Sequence, residues 1–353
     1  MLDLGAVPAT DRFPAADVPL CPSEAAHPLA MDLCPECGLA QLADDDTVTA
    51  EPRGGEPQAL RDQAEDAVQR VAAAGWLTGT TVDEFGSPHG GSWLSLLAER
   101  GFTPAAGPAD VVIDCFGIMH EPHQRAAFAE RAAATAPHGV LLLQYHALAG
   151  IVSHGQWDAL RHGHFGYYSM PALTRLFADA GMCAVAAWHF DLYGGTVLVA
   201  AVHRGSARDR APDGEIGRML TVEATLTEPA TVASLQSAAD AHAGALRSYL
   251  EAQRAAGRRV YAFGAASRAV ALFARAGLDH RLLAAVADAA PAKQGRRIPG
   301  TDIPVISPEA LVAAAPDVVV LTLADLLPEV SARLPELMGR WVTDDWIATQ
   351  TGR

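Results

Sequence analysis

The fold is decided by residues 110–145, DVVIDCFGIMHEPHQRAAFAERAAATAPHGVLLLQY. An apolar run at Asp110–Asp114 gives way to helical spacing near Glu121–Thr135, and a second apolar run follows at Gly139–Tyr145. A helix between two such runs is the crossover of a parallel pair, so the segment predicts an α/β sheet. Upstream, a strand-like run at Thr80–Phe85 is followed by a Gly-rich turn and a helix at Trp93–Arg100. Before that, Leu60, Ala64, Ala67, Val68 and Val71 recur at helical spacing between about 57 and 75. Beyond the acidic, Pro-bearing stretch around Thr225–Thr231 the alternation resumes. Helix Val232–Ala256, strand Arg259–Phe263, a Gly-Ala-Ala-Ser turn, helix Arg268–Ala276 and strands Ala284–Ala287 and Val318–Leu323 predict a second, smaller doubly wound unit. The first 50 residues, rich in Pro, Asp and Ala, show little periodicity and read as a loop-dominated module.

Three units are therefore expected: 1–55, 56–205 and 206–353. The length of 353 residues agrees, being too great for one ordinary core. Half of the residues are hydrophobic, and the longest apolar runs, Val140–Leu143 and Val318–Leu323, are strand-sized and far short of a membrane span. With no basic segment leading into a hydrophobic one at the N-terminus, the cytoplasm is the default location. A net charge of −15 with no long Lys/Arg cluster argues against a nucleic-acid partner. Five cysteines are too few for a disulfide framework.

Chemistry concentrates in Trp157–Phe177, WDALRHGHFGYYSMPALTRLF. It places His162 and His164 beside Arg161, Tyr167, Tyr168 and Ser169, just ahead of a helical pattern at Leu173, Leu176 and Phe177. Imidazoles titrate near neutral pH, so titratable groups packed this densely between a strand and a helix predict a site of proton transfer. A second site is predicted at Glu84-Phe-Gly86-Ser87-Pro-His-Gly90-Gly91, where glycines after a strand let a ligand approach the backbone at a helix N-terminus. The next connection, Gly101–Pro108, contains no acid to accept ribose hydroxyls. It is also shorter than a full crossover requires, so this sheet is expected to be abbreviated. In the C-terminal unit, Gly264, Ser267 and Arg268 open a helix after a strand, and Lys293 lies in a basic loop; together they form a candidate diphosphate site. Cys34-x-x-Cys37-Gly38 has zinc-knuckle spacing, with Cys21 and His27 as candidates for the other two ligands. Cys115 and Cys183 have apolar neighbours and read as core residues.

In order, MLDLGAVPA, LAMDLCPECGLAQL, DEFGSPHGG, WDALRHGHFGYYSMPALTRLFADAGM, YGGTVLVAAVHR, YAFGAASRAVALFARAG and ADAAPAKQGRRIPGTDIPVISPEAL span nearly the whole chain. Together they resemble the sugar C-methyltransferases, enzymes that methylate nucleotide-linked deoxy-ketosugars in antibiotic pathways. The resemblance implies a zinc-binding N-terminal module, a Rossmann-like domain that binds S-adenosylmethionine (SAM), and a C-terminal Rossmann-like domain for the sugar nucleotide, of dTDP type. It implies that a histidine removes the proton beside the ketone and that the enolate takes the methyl group. The family's Tyr-His-Glu-His centre corresponds to Arg161, His162, Gly163 and His164, with the base kept as His164. Other departures are the missing first Cys pair, the missing second and third strand region with its ribose-binding acid, and Phe116 where Asn is frequent.

Three functions are consistent with these residues. The first is a SAM-dependent C-methyltransferase with SAM on Glu84, Gly86, Ser87 and Gly90, and with Arg161, His162 or Tyr167 stabilising the enolate. The second is a SAM-independent epimerase, isomerase or dehydratase acting next to a carbonyl, which a cation at Arg161 suits. The third is a non-catalytic sugar-nucleotide-binding subunit that partners an active enzyme.

Overall fold

The structure is a computed structural model that describes residues 2–10, 12–21, 24–44, 56–87 and 91–350. Its elements run in the order β1 (Leu2–Pro8), β2 (Ala26–Leu33), β3 (Ala40–Leu42), α1 (Gln58–Ala73), β4 (Thr81–Phe85), α2 (Leu94–Ala98), β5 (Thr103–Pro104), β6 (Ala109–Cys115), α3 (Gln124–Ala134) and β7 (Thr135–His146). Then come α4 (Leu148–Ser153), β8 (Gly166–Tyr167), α5 (Met170–Asp179), β9 (Met182–Phe190), β10 (Thr196–His203), α6 (Gly214–Val222) and α7 (Pro229–Ala255). The last are β11 (Val260–Phe263), α8 (Ser267–Arg275), β12 (Val286–Ala287), β13 (Val305–Ile306), α9 (Pro308–Ala314), β14 (Val318–Leu321), α10 (Leu327–Arg333), β15 (Trp341–Thr343) and α11 (Asp344–Gln350).

The middle sheet has the order β5-β4-β6-β7-β10-β9, parallel through β7, with β10 antiparallel to both of its neighbours. Val111, Val112, Ile113 and Val140 to Leu143 are all at most 1% exposed, so helices cover both faces of these strands. Thr103 and Pro104 are all that stands in the place of a second strand, so this Rossmann-like sheet is abbreviated as its short connection predicts. The C-terminal sheet, β13-β12-β11-β14-β15, is wholly parallel and reverses its strand order beside β11. Ligand crevices form outside the carboxyl ends of strands where the order reverses, which places one beside β4 and β6 and a second beside β11 and β14.

The N-terminal residues depart from the loop-dominated reading. β1, β2, β3 and the distant β8 form an antiparallel sheet. Leu29 and Met31 alternate with Ala30 and Asp32, so period-two burial is present, but over too few residues to stand out in the sequence. Leu2, Met31, Ala40 and Leu42 share one core with Leu235, Leu246 and Leu250 of α7 and with α8. Ile216 and Met219 of α6 belong to the middle sheet's core, whereas Leu226 belongs to the other, so the cores exchange one helix beyond residue 205. Among the described residues no helix is long and apolar enough to cross a membrane.

Candidate functional site

The segment between α4 and α5 is built to hold two histidines in different places. Gly163, at φ 77°, reverses the chain between them. His162 is drawn to the N-terminal sheet: Nε2 lies 3.0 Å from the carbonyl of Pro28, and its ring stands edge-on to His27 at 5.8 Å. His164, 3% exposed, faces the opposite way against His120, ring to ring at 4.4 Å and 83°. His120 in turn places Nδ1 2.9 Å from the carbonyl of Gly163. Burial and the nearby Arg161 charge lower its pKa to about 4, so it is neutral at neutral pH.

Arg161 links this segment to the C-terminal unit. Its Nε–H donates to His164 Nδ1 at 3.3 Å, and Nη1–H donates to the Ser267 hydroxyl at 3.0 Å, on the first residue of α8. A neutral imidazole accepting at Nδ1 carries its hydrogen on Nε2. Tyr167 has a bracing position: its hydroxyl accepts the Arg161 N–H and donates to the Ala159 carbonyl, both at 3.2 Å. Beyond this, Ser169 caps α5, whose Leu173, Leu176 and Phe177 are buried as their spacing predicts.

His146, at the carboxyl end of β7, lies 3.1 Å through Nε2 from Gln156 Oε1. Burial first, then the charges of Arg268 and Arg161, lower it to about 3. Neither His120 nor His146 stands out in the sequence. The available signal is position, because each follows a central strand of a parallel sheet at its carboxyl end. Tyr193, at φ 56° on the turn before β10, also reaches this region, and its backbone N–H donates to Asp325.

In the crevice beside β4 and β6, a Cβ built on Gly86 meets nothing within 4 Å, so the backbone there is open to a ligand. Glu84 is turned toward its own loop: Oε2 accepts from the Ser92 hydroxyl at 2.5 Å and Oε1 from the Trp93 N–H at 2.6 Å. Ser87 completes the described part of the turn, and Gly90 lies outside the described residues. Cys115 is buried beside the Trp93 indole, and burial pushes its thiol well up, which fits a core residue. The open Gly86 backbone thus leaves room for SAM. Thr103 and Pro104 offer no carboxylate to a ribose.

In the second crevice Gly264, at φ 99°, lies close to the Thr322 side chain, and Ser267 and Arg268 open α8 beside it. Lys293 is turned inward: 5% exposed, its Nζ–H donates to the Ala265 carbonyl at 2.8 Å and stands 4.0 Å from Asp288. The zinc expectation is corrected. His27 lies six residues from Leu33 on β2, roughly 20 Å of extended chain, while Cys34 and Cys37 lie beyond the strand's far end. Zinc ligands must converge within ~2.3 Å of one ion, so His27 does not complete a site with the Cys pair. Among the described residues no group of three His, Cys, Asp or Glu could hold a metal.

Residues 191–344 match the family model of the C-methyltransferase C-terminal domain. C-methyltransferase NovU of Streptomyces niveus is 26% identical over 218 residues, covering 61% of this chain and 51% of the relative. The chain thus spans about half the length of that curated relative. Two solved methyltransferases are also matched over part of the chain. Magnesium protoporphyrin IX methyltransferase of Synechocystis, with bound SAH, is 15% identical and covers 41% of this chain and 84% of its own, at a TM-score of 0.31. SAM-bound CalS10, an amino pentose methyltransferase of Micromonospora echinaspora, is 16% identical and covers 42% and 92%, at 0.30. The C-terminal part of this chain is thus similar to the C-terminal domain of C-methyltransferases, and the NovU alignment extends that similarity to 218 residues.

Proposed function

We propose that the protein is a SAM-dependent C-methyltransferase acting on a nucleotide-linked deoxy-ketosugar. The observation that carries this reading is the Arg161 bridge, which ties His164 to Ser267. It sets the histidine pair between a crevice open at Gly86 and a crevice lined by Gly264, Ser267 and Arg268. Gly86 and Ser87 would hold SAM, which supplies an electrophilic methyl group when bound.

The remaining work belongs to the chain. His164 takes the proton from the carbon beside the ketone, the C–H electron pair becomes the enolate, and that carbon would form the new C–C bond with the methyl group as the S–CH3 bond breaks, its electron pair staying on the sulfur of departing S-adenosylhomocysteine. To accept the proton at Nδ1, His164 must release the Arg161 Nε–H. Arg161 is then free to donate to the enolate oxygen, so one movement exposes the base and supplies the charge that stabilises its product. Neutral His120 packs against His164 without adding a competing positive charge. Ser267 and Arg268 would meet the diphosphate.

A second reading, proton abstraction and return without SAM, draws on the occupied Glu84 and the missing ribose acid. Calorimetric titration with SAM and S-adenosylhomocysteine separates the two. Binding of either is expected; absence of both at millimolar concentration removes the methyltransferase. His164→Ala is expected to abolish deuterium wash-in from heavy water into a dTDP-ketosugar, and persistent exchange would overturn the base assignment.

A further inference from the structure

Tyr193 holds a backbone conformation that bulky residues avoid, at φ 56° and ψ 30° on the turn Leu192–Gly194 between β9 and β10. Such a conformation costs on the order of 1–3 kcal/mol and persists only where its surroundings enforce it. Here they act from both units. The Tyr193 N–H donates to Asp325 of the C-terminal unit, and the Tyr193 carbonyl accepts the Gln156 Nε2–H at 3.3 Å. Gln156 is itself held, because its Oε1 meets His146 Nε2 at 3.1 Å. The turn also packs closely on α4. A Cβ built on Gly150 would stand 2.7 Å from the Gly194 carbonyl oxygen, and one built on Gly194 would collide with the Gln156 amide. These contacts together fix where the Tyr193 side chain starts.

That side chain is half-buried against the core of the middle sheet, and it lines, with Gln156, Arg268 and Asp325, a cavity of about 740 Å³. Its hydroxyl makes no hydrogen bond among the described residues. Burial raises the phenol above its usual value, against the lowering charges of Arg161 and then Arg268, so the hydroxyl keeps its proton at neutral pH. Asp325, the carboxylate that acts on it, is engaged by the Tyr193 N–H. A phenol O–H and two guanidiniums are all donors, and the partner such a set calls for is an oxygen that carries negative charge. A diphosphate and an enolate both offer one. Position favours the enolate, because Arg161 is the residue whose Nε–H covers the base His164. A ketone oxygen lies two bonds from the carbon that gives up its proton, so a substrate seated at His164 carries its oxygen toward Arg161.

We propose that Tyr193 is a catalytic residue whose hydroxyl donates a hydrogen bond to the ketone oxygen of the substrate as that oxygen becomes the enolate. The assignment rests on the ketosugar reading above. When His164 removes the proton, the C–H electron pair forms the C=C bond and the carbonyl π pair moves onto oxygen, where the Tyr193 O–H meets it beside Arg161. The phenol keeps its proton throughout, and reversal returns a proton from His164 to carbon. Holding the turn in a strained conformation places this donor before the charge develops, which is the condition under which such a donor accelerates a reaction.

The test is deuterium wash-in from heavy water into dTDP-4-keto-6-deoxyglucose, without SAM, by the full chain and by Tyr193→Phe, with calorimetric titration of dTDP into both. Phenylalanine keeps the ring and its packing and removes only the donor, so the two proteins should share one thermal midpoint and one affinity for dTDP. Loss of one such donor is expected to slow exchange at saturating nucleotide sugar about 100-fold. Equal saturated rates overturn the assignment. Slower exchange below saturation alone, with weakened dTDP binding, also overturns it and puts the hydroxyl at the diphosphate. If the unaltered protein binds dTDP but exchanges nothing, the ketosugar reading fails and the assignment falls with it.

Discussion

Replacing Glu223 by glutamine tests how the histidine segment is anchored. Glu223 follows α6, is 4% exposed, and accepts the Met170 N–H at 2.6 Å, the first N–H of α5. Burial raises its pKa from 4.5 to about 7, outweighing that hydrogen bond and the Arg218 charge. Its surroundings are dry: the buried Tyr145 hydroxyl, whose pKa the Glu223 charge helps to raise, has no hydrogen-bond partner among the described residues. Between the unfolded and folded pKa values, the folded chain keeps a proton that the unfolded chain has released. The stability contributed by the neutral carboxyl is therefore complete below the unfolded pKa and is lost as the pH rises through the folded one. A gap from 4.5 to about 7 is on the order of 3 kcal/mol.

Glutamine accepts the same N–H through its amide oxygen and carries no charge at any pH. Urea unfolding of the two proteins is expected to give nearly equal stabilities at about pH 5 and an advantage on the order of 3 kcal/mol to Glu223→Gln at about pH 8. Asp344, which burial raises to about 7, titrates in the same window but is common to both proteins and cancels in the difference. A difference that stays flat across this range refutes the assignment of a raised pKa to Glu223. It would mean that the carboxylate is stabilised in place by the α5 N-terminus and stays charged.

Other substitutions probe the frame around the two crevices. Asp114→Asn leaves Arg131, 1% exposed, without the 2.9 Å ion pair at its Nε, and should cost about 3 kcal/mol in urea unfolding despite Glu121 and Glu130 at the rim. Ala315, exposed at the end of α9 with φ 47°, holds a left-handed conformation that glycine adopts freely, so Ala315→Gly should stabilise the chain by roughly 0.5–1 kcal/mol in the same assay. Gly38→Ala brings a Cβ within 2.5 Å of Thr227 Cγ2 at φ +76° and should lower the thermal midpoint; a partial return in the double variant with Thr227→Ala would isolate the steric part.

What could be read from the sequence was local. Residues 110–145 carry both periodicities within 36 residues, and the lost second strand follows from counting Gly101–Pro108. Arg161, His162 and His164 were visible as a cluster, yet adjacency in sequence did not make them partners. Gly163 turns His162 toward Pro28 and leaves His164 with His120, 44 residues upstream. Such a pair is tertiary: the segment between α4 and α5 must fold back over the carboxyl end of β6, where the Phe165 N–H donates to the Met119 carbonyl at 2.6 Å, before His164 can meet His120. The Cys34–Cys37 spacing misled for the same reason: a knuckle is a local pattern, but its ligand set is tertiary, and extended β2 carries His27 away from it.

Phe116 shows how the fold can override a local rule. At φ 62° it occupies the left-handed region that Asn and Gly tolerate and that a bulky side chain enters at a cost of order 1–3 kcal/mol. The turn is nevertheless fixed from both sides. The Phe116 N–H donates to the Gln144 carbonyl at 3.0 Å, and the Asp114 carboxylate accepts the N–H groups of Gly117 and Ile118 at 2.7 and 2.9 Å. Arg131 holds that carboxylate at 2.9 Å and covers the Phe85 ring. The turn therefore gets its shape from Asp114 and Arg131, and the side chain at 116 follows. In the sequence, Phe116 is a departure from the resembled family's frequent Asn; in the structure, the crevice keeps its backbone because the turn is held by the buried Asp114–Arg131 ion pair, two residues before it at Asp114.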